Sequence, residues 1–148
     1  MRLIFVTKND WELMMAWRSD PEIYQGFYSQ REPLTWEEHI AWIESRNSDW
    51  RTFIIEYEGR RIGVVTLQNL DSWIPEIGYY MGEKSLWGEG IGKEAVKLGL
   101  EYIKLCGRDY ARTTIKDDNE RSIRLIKSLK FRLLGPAREG ESWYQAKL

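Results

Sequence analysis

Trp87-Gly88-Glu89-Gly90-Ile91-Gly92-Lys93 sets three glycines at alternate positions where one periodicity gives way to another. Upstream, Ile74 to Met81 is a β-branched and aromatic run of strand type. Downstream, Ile91, Ala95, Leu98, Tyr102 and Leu105 recur at intervals of four and three, an apolar stripe on a helix, with Lys93, Lys97, Glu101 and Lys104 off it. A glycine turn that opens a helix frees successive amides and puts no Cβ in a ligand's way, an arrangement suited to phosphate or pyrophosphate. The same residues also make a plain strand-to-helix turn, so the turn alone leaves both readings open. Two nucleotide loops fail by counting. A Walker loop needs Gly where Trp87 stands and Ser or Thr where Glu94 stands. A dinucleotide fingerprint starting at Gly88 needs Gly at Lys93, and it belongs in a βαβ unit.

The flanking chain predicts alternating strands and helices. Arg2 to Val6 is a short strand, and Asn9 or Asp10 caps a helix through about Ser19, with Leu13, Ala16 and Trp17 on its inner face and Asp20-Pro21 ending it. Tyr24 to Leu34 has no clear period and reads as a loop. Thr35-Trp36-Glu37-Glu38 matches a capping box, and Trp36, Ile40 and Ile43 follow at helical spacing. Thr52 to Tyr57 and Arg61 to Leu70 form a hairpin about Glu58-Gly59-Arg60. Gly107 is a stop for the long helix. Tyr110 to Ile115 is a further strand, Asn119 to about Leu129 a helix, and Phe131 to Leu134 with Ser142 to Lys147 two closing strands. The order β-α-α-β-β-β-α-β-α-β-β predicts a mixed sheet covered by about four helices, in one domain over residues 1–148.

Composition narrows the chemistry. With 148 residues, roughly 70% of the unfolded surface can be buried, so no disulfide or metal staple is required. There is one Cys, Cys106, and one His, His39, too few for a structural zinc site or a disulfide, and no serine sits in G-x-S-x-G. Twenty-two Lys and Arg against 23 Asp and Glu leave a formal charge of -1, which argues against nucleic acid as a partner. The apolar run Met1 to Val6 is too short for a signal peptide, and none approaches the roughly 18 to 20 residues of a membrane span. A reducing cytoplasm and no membrane partner are the expectation.

At this point the residues resemble the GCN5-related N-acetyltransferase (GNAT) superfamily. Its acetyl-CoA signature, Q/R-x-x-G-x-G/A, matches residues 87–92 at Gly90 and Gly92, with Trp87 in the leading position. A second signature, N-x-x-S-x-x-x-x-x-x-G-F, is present as Asn119, Ser122 and Phe131, with Lys130 replacing the glycine. Gly-Tyr-Tyr-Met, residues 78 to 81, is similar to the family's fourth strand. Trp17-Arg18-Ser19-Asp20-Pro21 and Glu37-Glu38-His39-Ile40-Ala41-Trp42 resemble the branch holding ribosomal-protein N-terminal acetyltransferases and amino-sugar-nucleotide acetyltransferases. The resemblance covers essentially the whole chain. It implies an α+β fold with a mostly antiparallel sheet.

It also implies acetyl-CoA as cosubstrate and direct transfer, in a ternary complex, to a primary amine. The acceptor is a protein N-terminus or a small molecule such as an amino-sugar nucleotide, with nothing to choose between them. Trp87, Gly88, Glu89, Gly90, Ile91, Gly92, Lys93 and Asn119 would meet the cofactor, and the pantetheine would run beside the strand ending at Met81. Glu76 on that strand is the candidate base, with Glu139 and Glu141 competing; Glu76 reads equally as a salt-bridged strand residue. Relatives protonate the thiolate with a Tyr whose position here is Ile126, so Ser122 is the candidate acid, unless it only bonds within its helix. Arg18, Tyr28 and His39 are candidate acceptor contacts, each with a packing alternative. Arg121, Arg124, Lys127 and Lys130 either face CoA phosphates or form a solvated face. Cys106 reads as a small buried hydrophobe. The substitutions at Trp87, Ile126 and Lys130 keep a non-catalytic acyl-CoA-binding or sensor domain as the alternative, and the chain is expected to be a monomer or homodimer.

Overall fold

The computed structural model describes residues 1–46 and 49–148. Its elements are β1 (Arg2–Phe5), α1 (Trp11–Arg18), α2 (Pro21–Tyr24), α3 (Trp36–Glu44), β2 (Arg51–Tyr57), β3 (Arg60–Gln68), β4 (Glu76–Met81), α4 (Ile91–Leu105), β5 (Tyr110–Lys116), α5 (Glu120–Ser128), β6 (Arg132–Arg138) and β7 (Glu141–Lys147). One seven-stranded sheet runs β1-β2-β3-β4-β5-β7-β6, antiparallel throughout except between β4 and β5. This is the expected order with one helix more. Pro21 starts α2 besides closing α1, because its fixed φ suits a first helical position and the Asp20 carboxylate caps the Glu22 amide at 2.9 Å.

Each face of the sheet carries its own core. On one, α4 and α5 bring Ala95, Val96, Ile103 and Ile126 onto Ile55, Val65 and Ile77. On the other, Met14, Trp17 and Ile23 cover Ile54 and Val64. The long helix is rotated from its expected stripe, for Leu105 is 87% exposed while Val96 and Gly99 face inward. Gly99 is why: a Cβ there would lie 2.7 Å from Ile77 Cδ1, so the helix approaches the sheet along a side that carries no apolar signal. Cys106, just past the last turn, is exposed and is no part of the core. On α1 the buried residues are Met14 and Trp17, and Ala16 faces solvent. On α3 Trp36 is exposed and His39 is completely buried, so the imidazole occupies the inner face expected of Trp36.

The one parallel pairing creates the opening. β4 and β5 share a single register pair, Glu76 opposite Arg112, with the Arg112 amide on the Pro75 carbonyl at 2.9 Å. Beyond it they diverge. Gly78 to Met81 remain paired to β3 on one side but, among the described residues, meet no strand on the other.

Candidate active site

Between the diverging strands lies a cleft of about 1080 Å³, bounded by β4, β5, the starts of α4 and α5, and residues 22–30. Gly88 and Gly90 hold the turn in the left-handed region, at φ +82° and +80°, where a side chain would be strained. The first bond within α4 runs from the Glu94 amide to the Gly90 carbonyl at 3.3 Å. The amides of Ile91, Gly92 and Lys93 thus lie at a helix start, with the positive end of the helix dipole behind them. Trp87 donates its indole N–H to the Met81 carbonyl at 3.1 Å, which ties the turn to the end of β4, and the Arg121 guanidinium lies 3.9 Å from its ring centre.

Of the expected cofactor residues, Met81, Trp87, Gly88, Gly90, Gly92, Lys93 and Asn119 line the cleft. Ile91 has its side chain in the core and offers its main-chain amide at the helix start; the Glu89 side chain is exposed and outside the lining. Arg121 and Arg124 of the basic stripe reach the cleft, whereas Lys127 and Lys130 do not. Asn119 caps α5 by accepting the Ser122 amide at 3.3 Å. Lys130 adopts φ +69° and closes the same helix.

Ser122 lines the cleft, and its hydroxyl makes no hydrogen bond within its helix. Beside it stands Tyr79, whose buried hydroxyl has no hydrogen-bond partner among the described residues. Burial pushes the Tyr79 pKa up; Ser122 lies near enough to oppose this but outside hydrogen-bonding geometry. Glu76, the first candidate base, is engaged by neighbours outside the cleft lining. It sits at the closed end of the opening, accepts Asn69 Nδ2 at 2.6 Å, lies 3.8 Å from Arg112, and does not line the cleft. These contacts are those of the salt-bridged strand residue that the sequence offered as its alternative. Of the competing carboxylates, Glu141 does line the cleft, buried and 3.0 Å from Arg138 Nε.

The half of the cleft on the α1 side is aromatic and basic. Tyr79 and Tyr80, adjacent on β4, project to opposite faces, so Tyr79 packs toward α4 while Tyr80 meets Trp17 and Phe27 edge-on. Arg18 lines this half, stacked 4.2 Å from the centre of Trp42. His39 does not reach the cleft: it lies behind Arg18, with Nδ1 3.0 Å from the guanidinium and Nε2 2.8 Å from the Trp11 carbonyl. That carbonyl only accepts, so Nε2 carries the proton and Nδ1 receives one from Arg18. Burial and the Arg18 charge lower the His39 pKa and keep the ring neutral. Residues 25–30 cross to the far wall. Tyr28 donates to the Glu139 carbonyl at 2.6 Å, Arg138 lies 3.7 Å from the Tyr28 ring, Lys116 donates to the Gln25 carbonyl, and Gln30 donates to the Arg18 carbonyl. Tyr28 therefore both lines the cleft and fastens the loop over it.

Tyr79, Tyr80 and Arg138 were not legible as site residues. The only sign was the Tyr-Tyr pair on a strand, since neighbours on a strand serve opposite faces. In all, six basic side chains line the cleft against three acidic ones, in a chain whose net charge is -1.

The acetyltransferase (GNAT) domain family matches residues 1–132. An uncharacterised protein of Methanocaldococcus jannaschii is 44% identical over 146 residues, 97% of this chain and 30% of its own length, so the chain spans less than a third of that relative. The crystal structure of a domain from Methanocaldococcus jannaschii superimposes with a TM-score of 0.94 at 41% identity, covering 99% of this chain and 97% of that one. An aminoglycoside acetyltransferase in complex with coenzyme A has a TM-score of 0.83 at 15% identity over 98% of this chain and 93% of its own. A ribosomal-protein-alanine N-acetyltransferase from Brucella melitensis has a TM-score of 0.79 at 20% identity over 100% of both chains. These last two share the fold. The glycine turn, the splayed strands and the family match together place the chain in the GNAT family of acetyltransferases, whose acyl donor is acetyl-CoA.

Proposed function

We propose that this single domain, residues 1–148, transfers the acetyl group of acetyl-CoA directly to a primary amine. The observation that carries the reading is an unpaired β4 edge leading to the glycine turn at the start of α4. The edge offers main-chain hydrogen bonds to an extended pantetheine arm, and the amides of residues 91–93 offer a place for pyrophosphate, with Lys93 and Arg121 adding charge. When bound, acetyl-CoA supplies the activated thioester. The chain's own part is to align the amine and manage two protons. Glu141 takes the proton from the incoming ammonium, directly or through water, and Ser122 holds the proton needed by the departing sulfur.

Relatives that share the fold are named for acting on a ribosomal-protein alanine and on aminoglycosides, so the fold alone does not select an acceptor. The charge lining the cleft does favour some acceptors, because six basic groups against three acidic ones oppose a polycation. The exposed thiol of Cys106, with no second cysteine in the chain, suits a cytoplasmic setting. Among the described residues no helix is long and apolar enough to cross a membrane.

Acetyl-CoA is expected to raise the Tm, as ligand binding to the folded state requires. Gly90→Trp is expected to abolish that rise, and Ser122→Ala or Glu141→Gln to lower thiol release by about 10²-fold or more while the rise remains. No shift at millimolar acetyl-CoA would refute the proposal. A shift with no thiol release from any amine would leave the sensor alternative standing instead.

A further inference from the structure

Arg18 stands in the cleft, partly buried, with no carboxylate against it among the described residues. The three acids of the cleft are engaged elsewhere: Glu22 with Lys84, Asp118 with Lys116 and Glu141 with Arg138. The guanidinium is fixed from behind by the Trp42 ring and by His39 Nδ1, which takes one of its N–H groups. An arginine has five such donors, and no other side chain among the described residues accepts one. Next to it the Tyr80 hydroxyl is buried without a hydrogen-bond partner among the described residues; burial raises its pKa and the Arg18 charge opposes the rise, so the two groups share one field.

A half-buried cation without a counter-charge is costly, and the cost is recovered when a ligand brings the anion. Tyr80 lies on the face of β4 away from α4 and Arg18 stacks on Trp42 of α3, whereas the amides suited to pyrophosphate open α4. A rigid arginine that is stacked on an aromatic ring and oriented by a neutral imidazole is a preorganised receptor for an oxyanion. We propose that Arg18 is an anion-binding subsite for the acceptor, and that the acceptor is an amine that also carries a phosphate or carboxylate group. His39 and Trp42 are positioning residues that act through Arg18.

The inference rests on the acetyl-transfer reading above. Its test is thiol release at saturating acetyl-CoA from glucosamine, glucosamine 6-phosphate, muramic acid as the carboxylate-bearing counterpart, and spermidine. At least one anionic amine is expected to exceed both glucosamine and spermidine about 10- to 100-fold in kcat/KM, the range of a charge-assisted hydrogen bond. Arg18→Gln is expected to remove that preference through KM while the acetyl-CoA-induced rise in Tm persists. Arg18→Lys distinguishes the two anions: a point charge retains a phosphate preference, whereas a carboxylate preference that depends on a planar two-point contact is lost. Inorganic phosphate, a probe that needs no variant, is expected to compete with the acceptor and not with acetyl-CoA. Equal use of glucosamine or spermidine, a preference that survives Arg18→Gln, turnover of neither anionic amine, or phosphate competing only with acetyl-CoA overturns the inference. Failure to bind acetyl-CoA at all overturns the acetyl-transfer reading instead.

Discussion

Lys130→Gly is expected to make the protein more stable without altering its activity. Lys130 follows α5 in the left-handed region at φ +69°. Its amide bonds the Lys127 carbonyl at 3.0 Å, and the Phe131 amide reaches back to the Ile126 carbonyl at 3.2 Å, the paired bonds of a Schellman ending. A residue with a Cβ pays about 1–2 kcal/mol to adopt that conformation. Glycine escapes that cost but loses about 0.4–1 kcal/mol through the greater freedom of the unfolded chain. The difference leaves a gain of about 0.5–1 kcal/mol, which at this chain length raises Tm by roughly 1–4 °C. Urea unfolding should show a higher midpoint at an unchanged slope. Lys130→Ala separates backbone from charge, because alanine keeps the strain and removes the ammonium; it should leave Tm near the wild-type value. If Lys130→Gly is no more stable than wild type, left-handed strain is not what the glycine of the second signature relieves. Because Lys130 lies outside the cleft, kcat and the KM for acetyl-CoA are expected to stay constant.

Gly82→Ala is expected to destabilise by about 1–3 kcal/mol, the cost of overpacking a filled core. Its Cβ would run into the ring of Trp17, which is itself only 8% exposed; an unchanged Tm would show that Trp17 is free to move aside. His39 predicts a pH effect. Burial first, and then the Arg18 charge, hold its pKa below the ordinary 6.5, so below that pH the unfolded chain takes up a proton that the folded ring resists. The contribution is complete above pH 6.5 and is lost as pH falls toward the lowered value. Tm should therefore decline between pH 6.5 and about 5, before the carboxylates titrate. His39→Gln, whose amide can accept from Arg18 and donate to the Trp11 carbonyl, should flatten that decline, and parallel profiles for the two proteins would refute the assignment.

What was readable in the sequence were the features fixed by neighbours along the chain. The Thr35 capping box forms, with the Glu38 amide on the Thr35 hydroxyl and the Thr35 amide on the Glu38 carboxylate; Asn119 caps α5; and Gly107 ends α4 at φ +82°. Helix faces were less legible, because side-chain apolarity is a poor guide where a glycine makes the contact. Gly99 brings α4 onto the sheet, and Leu105 is left outside. The surroundings of Glu76 are a related case. Its partners, Asn69 and Arg112, come from a loop and from the parallel neighbour strand, and local pattern cannot register a carboxylate neutralised from across a sheet.

The same argument bears on the imperfect signature at the glycine turn. The family signature opens with Gln or Arg, and this chain has Trp87 there, which looked like grounds for a domain that binds without catalysis. In the folded protein the indole N–H holds the Met81 carbonyl at 3.1 Å, and the guanidinium of Arg121, from the first turn of α5, lies on the indole face at 3.9 Å. A cation therefore stands over the first position of the signature although no basic residue occupies it. Lys130 behaves similarly, supplying the left-handed backbone that the signature obtains from glycine. Two of the three substitutions that argued against catalysis are thus met by the structure itself. The third, Ile126, is buried in the core, and the proposed reaction assigns the proton for the sulfur to Ser122, which makes the Ser122→Ala rate the measurement on which that proposal depends most.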